Sequence, residues 1–175
     1  MVWVPGGTFL IASDAHYPEE APAHRALVRG FWMDQYTVTN ADFHRFVEAT
    51  AYVTLAERPV DPALYPGADP ALLAPSAVDF RKAAGVWEWT TDWFQEHSRM
   101  EHACCTLDNP RGRSAEDSYD VRTPDNPVAR KDMKSGSYLC APNYCRRYRP
   151  AARMAQPIDT AIGHLGFRCV VRPSE

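Results

Sequence analysis

Prolines interrupt this chain so often that it has little room for long helices or inner strands. Fifteen occur in 175 residues, five of them between positions 59 and 75. A proline has no backbone N–H to donate, and its ring clashes with the preceding helical turn. Together with nine glycines they predict short elements joined by irregular connections. Helical periodicity holds over one stretch. Thr39-Asn40-Ala41-Asp42 has the pattern of a capping box, and Phe43, Phe46 and Val47 follow at helical spacing, which predicts a helix over roughly 40–49. Residues 2–11 and 26–38 alternate loosely between apolar and polar and read as short strands, as does the aromatic run Trp87–Trp93. Further strands are expected at 133–139, 145–153 and 166–172, with 59–75 as loop and a polar connection running to about 129. At 45% apolar and 11% aromatic the chain can build one core, so residues 1–175 read as a single domain.

Charge narrows the partners. A net charge of −3 offers nothing to a polyanion, so no nucleic acid is expected. No apolar run is long enough to span a membrane, and the first residues lack the basic and apolar regions of an export signal. The expectation is a cytoplasmic monomer. Five cysteines, an odd number without an export signal, do not suggest a disulfide framework.

One cysteine pair stands apart. Cys140 and Cys145 are five residues apart with Pro142 and Asn143 between them. On a helix or a strand that spacing points the two side chains in different directions. Their sulfurs meet only if residues 141–144 turn back, and Pro and Asn are turn residues. Two convergent thiolates suit a soft ion of low coordination number such as Cu(I), whereas zinc normally takes four protein ligands. Spacing leaves three readings open: a Cu(I) site, a disulfide, or two unrelated core cysteines.

The surrounding residues resemble the formylglycine-generating enzymes, or sulfatase-modifying factors. The matching segment runs Gly136-Ser137-Tyr138-Leu139-Cys140, then Cys145-Arg146-Arg147-Tyr148-Arg149, Ala151-Ala152-Arg153, and after a loop His164-Leu165-Gly166-Phe167-Arg168-Cys169. Earlier blocks match as well. They are Val4-Pro5-Gly6-Gly7-Thr8-Phe9-Leu10, Pro18-Glu19-Glu20-Ala21-Pro22, Gly30-Phe31-Trp32-Met33-Asp34, Ala56-Glu57-Arg58-Pro59 and Val86-Trp87-Glu88-Trp89-Thr90-Thr91-Asp92-Trp93. A long stretch that family members carry between the last two blocks has no counterpart here, and the break reads as falling between Phe80 and Val86.

The resemblance implies an α+β, C-type-lectin-like fold with little regular structure, here incomplete. It implies a copper-dependent oxidase that uses O2 to convert a cysteine in a Cys-x-Pro-x-Arg segment of an unfolded sulfatase to Cα-formylglycine. Cys140 and Cys145 would hold Cu(I), with Ser137 beside them as the third catalytic residue. Tyr138, Arg147, Trp87 and His164 would contact the peptide. Glu88 matches a glutamate that the family uses for structural Ca2+, but Arg81 stands where another oxygen ligand is expected. Cys169 matches a cysteine whose partner would lie in the absent stretch, so it is expected to be a free, buried thiol. Cys104 and Cys105 are expected to be structural. His24, His44 and His164 are scattered, so no histidine cluster for iron is expected. The alternative is a truncated, non-catalytic binding domain of the same family. Two family glycines are replaced by Ala12 and Ser135. If those positions need positive φ, each replacement costs on the order of 1 kcal/mol.

Overall fold

A computed structural model describes residues 1–54, 57–59, 61–73, 86–97, 106–111, 114–125, 127–137, 139–140, 145–160 and 162–173. These residues form three small sheets and one α-helix, an α+β architecture. The first sheet orders β1 (Val2–Val4), β4 (Phe31–Met33) and β10 (Val170–Val171), all antiparallel, so the two ends of the chain share a sheet. In the second, β2 (Gly7–Ile11) runs antiparallel to β3 (His24–Val28), which pairs in parallel with β6 (Leu107–Asp108). The third orders β8 (Arg153–Pro157), β7 (Arg130–Ser135), β5 (Trp87–Trp93) and β9 (Leu165–Gly166).

Local chemistry accounts for these breaks. The expected strand over 2–11 splits at Pro5-Gly6, where a Cβ on Gly6 would lie 2.7 Å from the Gly30 nitrogen. The expected strand over 26–38 divides for the same reason at Gly30, which packs against the Trp3 ring. The helix α1 (Asn40–Thr50) falls where its periodicity placed it. Thr39 accepts the Asp42 N–H at 3.1 Å, and the Asp42 carboxylate accepts the Thr39 N–H at 3.1 Å. No residue of α1 is buried; Phe43 and Phe46 pack against each other and Tyr52 with tilted or edge-on rings, and they line a cavity shared with Met1 and Phe167.

Three expected strands moved. The strand expected at 133–139 begins at Arg130 and stops at Ser135, whose φ of 74° cannot continue a pleat. The stretch expected as a strand at 145–153 is a series of turns instead. Pro150 carries no ladder donor, Ala152 N–H closes on the Arg149 carbonyl at 2.9 Å, and the strand forms only from Arg153. The stretch 166–172 divides into β9 and β10, which belong to different sheets. Within 59–75 the described residues hold two 3-10 turns, Pro62–Leu64 and Pro70–Leu73, in keeping with a loop.

Among the described residues, the buried apolar side chains lie mostly in the third sheet or next to its strands. Met133 is fully buried on β7, paired across to Trp89 of β5 and Met154 of β8, and Trp87, Phe94 and Ala152 are buried too. Ala12 and Ser135 both sit at positive φ, 76° and 74°, where an L side chain is disfavoured. Replacing Ser135 with glycine should therefore raise stability by about 0.5–1 kcal/mol, the strain relieved less the extra entropy of an unfolded glycine. Urea unfolding would register this as a higher midpoint at unchanged slope, and a lower midpoint would contradict it.

Candidate active site

The site is built where β7 ends. Gly136 lets the chain entering the cysteine segment cross the chain leaving it. A Cβ there would lie 2.5 Å from both the Arg147 carbonyl oxygen and the Tyr148 Cα, so no larger residue fits without moving backbone. That crossing brings Cys140 and Cys145 together with their Cα atoms 5.2 Å apart, and the two sulfurs are joined as a disulfide. Of the readings left open by spacing, two unrelated core cysteines is thereby excluded. Residues 141–144, where a turn is expected, lie outside the described residues, as do Tyr138, Cys104, Cys105, Ala56 and residues 80–85 of the expected break.

Ser137 ties this segment together. It is 8% exposed, its carbonyl accepts the Cys140 N–H at 2.9 Å, and its hydroxyl accepts the Leu139 N–H at 3.0 Å. The same hydroxyl meets His164 Nδ1 at 2.8 Å. His164 is held in turn by its carbonyl, which accepts the Trp87 N–H of β5 at 2.9 Å. Ser137 and His164, 27 residues apart in sequence, thus lie together beside Cys140.

On a strand over 145–153, Arg147, Arg149 and Arg153 would share one face. Because the segment turns, these three spread to three acidic partners, Glu19, Glu20 and Asp132, on other elements. Arg147 pairs with Glu19, packs its guanidinium 4.1 Å from the Tyr17 ring centroid, and donates to the Arg153 carbonyl at 2.9 Å. Arg149 donates to both oxygens of Glu20, at 2.8 and 3.0 Å, and Glu20 is fully buried. The Tyr17 hydroxyl accepts the Arg146 N–H at 3.1 Å. The 3-10 turn Pro18–Glu20 therefore clamps the chain just after Cys145. Tyr17, Glu19 and Glu20 were not singled out from sequence; the signal was there in a matched block dense in carboxylates facing an arginine-rich one.

Arg153 reaches the opposite way. It pairs with Asp132 of β7 at 2.9 Å and lies over the Phe94 ring, its Cζ 4.7 Å from the centroid. Burial raises the Asp132 carboxyl above its ordinary range despite that partner. Burial likewise lowers the Lys134 ammonium. Burial, followed by the positive charge of Arg153, pushes the His97 imidazole down to about 3, so it stays neutral near pH 7.

Several residues end in places the sequence did not indicate. Trp87 is 3% exposed and fills the core beneath the site, so its ring offers no open face to a peptide. Glu88 accepts from Arg168 Nε at 2.8 Å and is an ion-paired carboxylate. Cys169 is free as expected but exposed rather than buried, because β10 is an edge strand and the segment before it runs over the surface beside Asp34. His24 is not isolated: its ring packs against His97 at 4.8 Å between centroids. Among the described residues no three His, Cys, Asp or Glu side chains gather as a metal cluster. Two soft sulfurs alone fit a two-coordinate soft ion once reduced, and they do not fit calcium or a four-ligand zinc.

Comparison with known proteins bears on what such a site does. The model of the "Sulfatase-modifying factor enzyme 1-like domain" matches residues 1–71 and 70–173. A formylglycine-generating enzyme of Mycobacterium tuberculosis is 28% identical over 303 aligned residues, covering 99% of this chain and 98% of that protein. That alignment is far longer than 175 residues, so the relative carries a long internal segment without counterpart here. An inactive C-alpha-formylglycine-generating enzyme 2 of Mus musculus is 44% identical over 61 residues, 33% of this chain and 19% of that protein. Among solved structures, PvdO from Pseudomonas aeruginosa superposes with a TM-score of 0.62 at 14% identity. The match covers 98% of this chain and 94% of that one, and it speaks to the fold alone.

Proposed function

Since this chain belongs to the sulfatase-modifying factor enzyme 1-like family, we propose that it converts a cysteine in an unfolded sulfatase segment of the type Cys-x-Pro-x-Arg to Cα-formylglycine. The observation that carries this reading is the convergence of Cys140 and Cys145 beside the buried Ser137 hydroxyl. Reduction of the disulfide by an external thiol frees two sulfurs next to a clamped segment, and these would hold one Cu(I). Bound copper would supply the activation of O2. The protein's own part is to present soft ligands, keep Ser137 fixed, and leave room for the peptide's sulfur.

Electron balance sets a further requirement. Turning a CH2SH group into an aldehyde with loss of sulfide releases two electrons, and reducing O2 to water takes four. Two external thiols must therefore supply the other pair, becoming a disulfide. Calcium is not assigned, because a cation at Glu88 would have to displace Arg168.

A second reading, a non-catalytic binding domain, is favoured by the missing internal segment and by the helix α1 with no buried residue. One experiment separates them. The reduced chain, titrated anaerobically with Cu(I) against a chromogenic chelator, should retain one equivalent. Given O2, a thiol and the peptide, it should then produce a mass loss of about 18 Da. Copper retention without that loss supports the non-catalytic reading, and no retention removes both the copper and the oxidase.

A further inference from the structure

Whatever fixes the backbone of two cysteines raises the effective concentration of one thiol at the other, and so favours their disulfide. Cys140 and Cys145 are fixed by different parts of the chain. The Cys140 end is held within its own segment, by its N–H on the Ser137 carbonyl at 2.9 Å. The Cys145 end is held from outside. Arg146, the next residue, has both backbone groups engaged: its N–H donates to the Tyr17 hydroxyl at 3.1 Å, and its carbonyl accepts Arg149 Nε at 2.9 Å. Arg149 is anchored in turn on the buried Glu20, at 2.8 and 3.0 Å. The Arg147 guanidinium packs 4.1 Å from the Tyr17 ring centroid and pairs with Glu19. Tyr17 is the residue from which the 3-10 turn Pro18–Glu20 starts, between β2 and β3. One short stretch, 129 residues away in sequence, thus grips the chain on the far side of Cys145.

We propose that Tyr17 is a positioning residue whose hydroxyl, by holding the Arg146 peptide, makes the Cys140–Cys145 pair harder to reduce. The disulfide restrains Cys145 by itself. Losing the Tyr17 hydroxyl therefore frees the dithiol more than the disulfide and shifts the balance toward the dithiol. With glutathione disulfide as the oxidant, two S–H bonds break and one S–S bond forms in the protein. Both electrons and both protons pass to the glutathione disulfide, which becomes two glutathione thiols. The bonds to the Arg146 peptide lie near solvent, so water replaces part of what is lost. The expected effect is that of one ordinary net hydrogen bond, about fivefold in the equilibrium constant. Its bearing on the oxidase rests on the reading above, since only the reduced pair can take a soft ion; the equilibrium itself does not depend on that reading.

The test is a redox titration. The full chain is equilibrated anaerobically, without metal, in glutathione buffers of graded composition. Free thiols are trapped with iodoacetamide, and the oxidised fraction of the Cys140–Cys145 pair is read by mass spectrometry. Tyr17→Phe removes the hydroxyl and keeps the ring on which Arg147 packs. Its ratio of squared thiol to disulfide at half-oxidation should fall about fivefold, a potential about 20 mV less negative than the wild type's. Tyr17→Ala, which removes the ring as well, should lower the ratio further. Thr39→Ala is the control. It deletes the cap of α1 and so lowers stability, but the Thr39 side chain bonds within that cap, and the ratio should not move. A Tyr17→Phe ratio equal to or above the wild type's overturns the proposal. A Thr39→Ala shift of the same size also overturns it, because the pair would then merely report overall stability. The readout contains neither copper nor peptide, so the proposal stands or falls separately from the oxidase reading.

Discussion

Replacing Cys145 with alanine should abolish Cu(I) retention and every trace of peptide oxidation. Cys140 and Cys145 are the two sulfurs that the crossing at Gly136 brings together. One remaining thiolate cannot form a two-coordinate site, and no third His, Cys, Asp or Glu ligand gathers there among the described residues. The loss should exceed the roughly 100-fold drop that follows from disturbing an outer-shell partner of a metal ligand. Cys169→Ser is the matched control. Cys169 is exposed beside Asp34 and joined to no other cysteine, so its loss should leave copper stoichiometry unchanged. Retention of one equivalent by Cys145→Ala, or its loss in Cys169→Ser, would place the metal elsewhere.

Glu20→Ala should have the largest effect on stability. Glu20 is fully buried and takes two hydrogen bonds from Arg149, whose side chain is 19% exposed. Removing one member of a buried pair leaves the other charge uncompensated, at about 3–5 kcal/mol; the fifth of Arg149 still in water favours the lower end. For a chain of this length about 3 kcal/mol corresponds to a fall in Tm of roughly 6–12 °C. The turn after Cys145 is clamped through the same contacts, so the variant should also form the Cys140–Cys145 disulfide more slowly during refolding. The double variant Glu20→Ala/Arg149→Ala should recover part of the loss, because no charge is then stranded. A drop below about 1 kcal/mol, the size of an exposed pair, would show that water reaches the clamp.

Much of this was legible in the residues, though unevenly. The helix expected over roughly 40–49, found as Asn40–Thr50, was evident because capping and periodicity are local properties, decided within one or two turns. The strand Trp87–Trp93 was evident for a similar reason, since bulky aromatics suit a pleated, half-buried surface. The strand at 145–153 was misread because arginine and tyrosine alternate there as they would on a pleat, while Pro150 and the Ala152–Arg149 turn override the pattern. Cys169 was read as buried from its block, yet burial depends on what covers a segment, which no local pattern records. Ala12 and Ser135 gave the clearest local signal of strain, and both adopt the disfavoured φ.

From its amino acids alone the chain declared its family, its α+β class and the cysteine pair around which the site is built. Those depend on residue identity and short spacing, which survive without knowing where any other segment lies. Tertiary structure alone decided that Ser137 meets His164, that Arg149 finds Glu20 across 129 residues, and that Trp87 belongs to the core. The physical reason is that hydrogen bonds and ion pairs act over a few ångströms. Which residues come within that reach is set by how Gly136 lets the chain cross itself and how the third sheet stacks its strands. Sequence distance carries no trace of that.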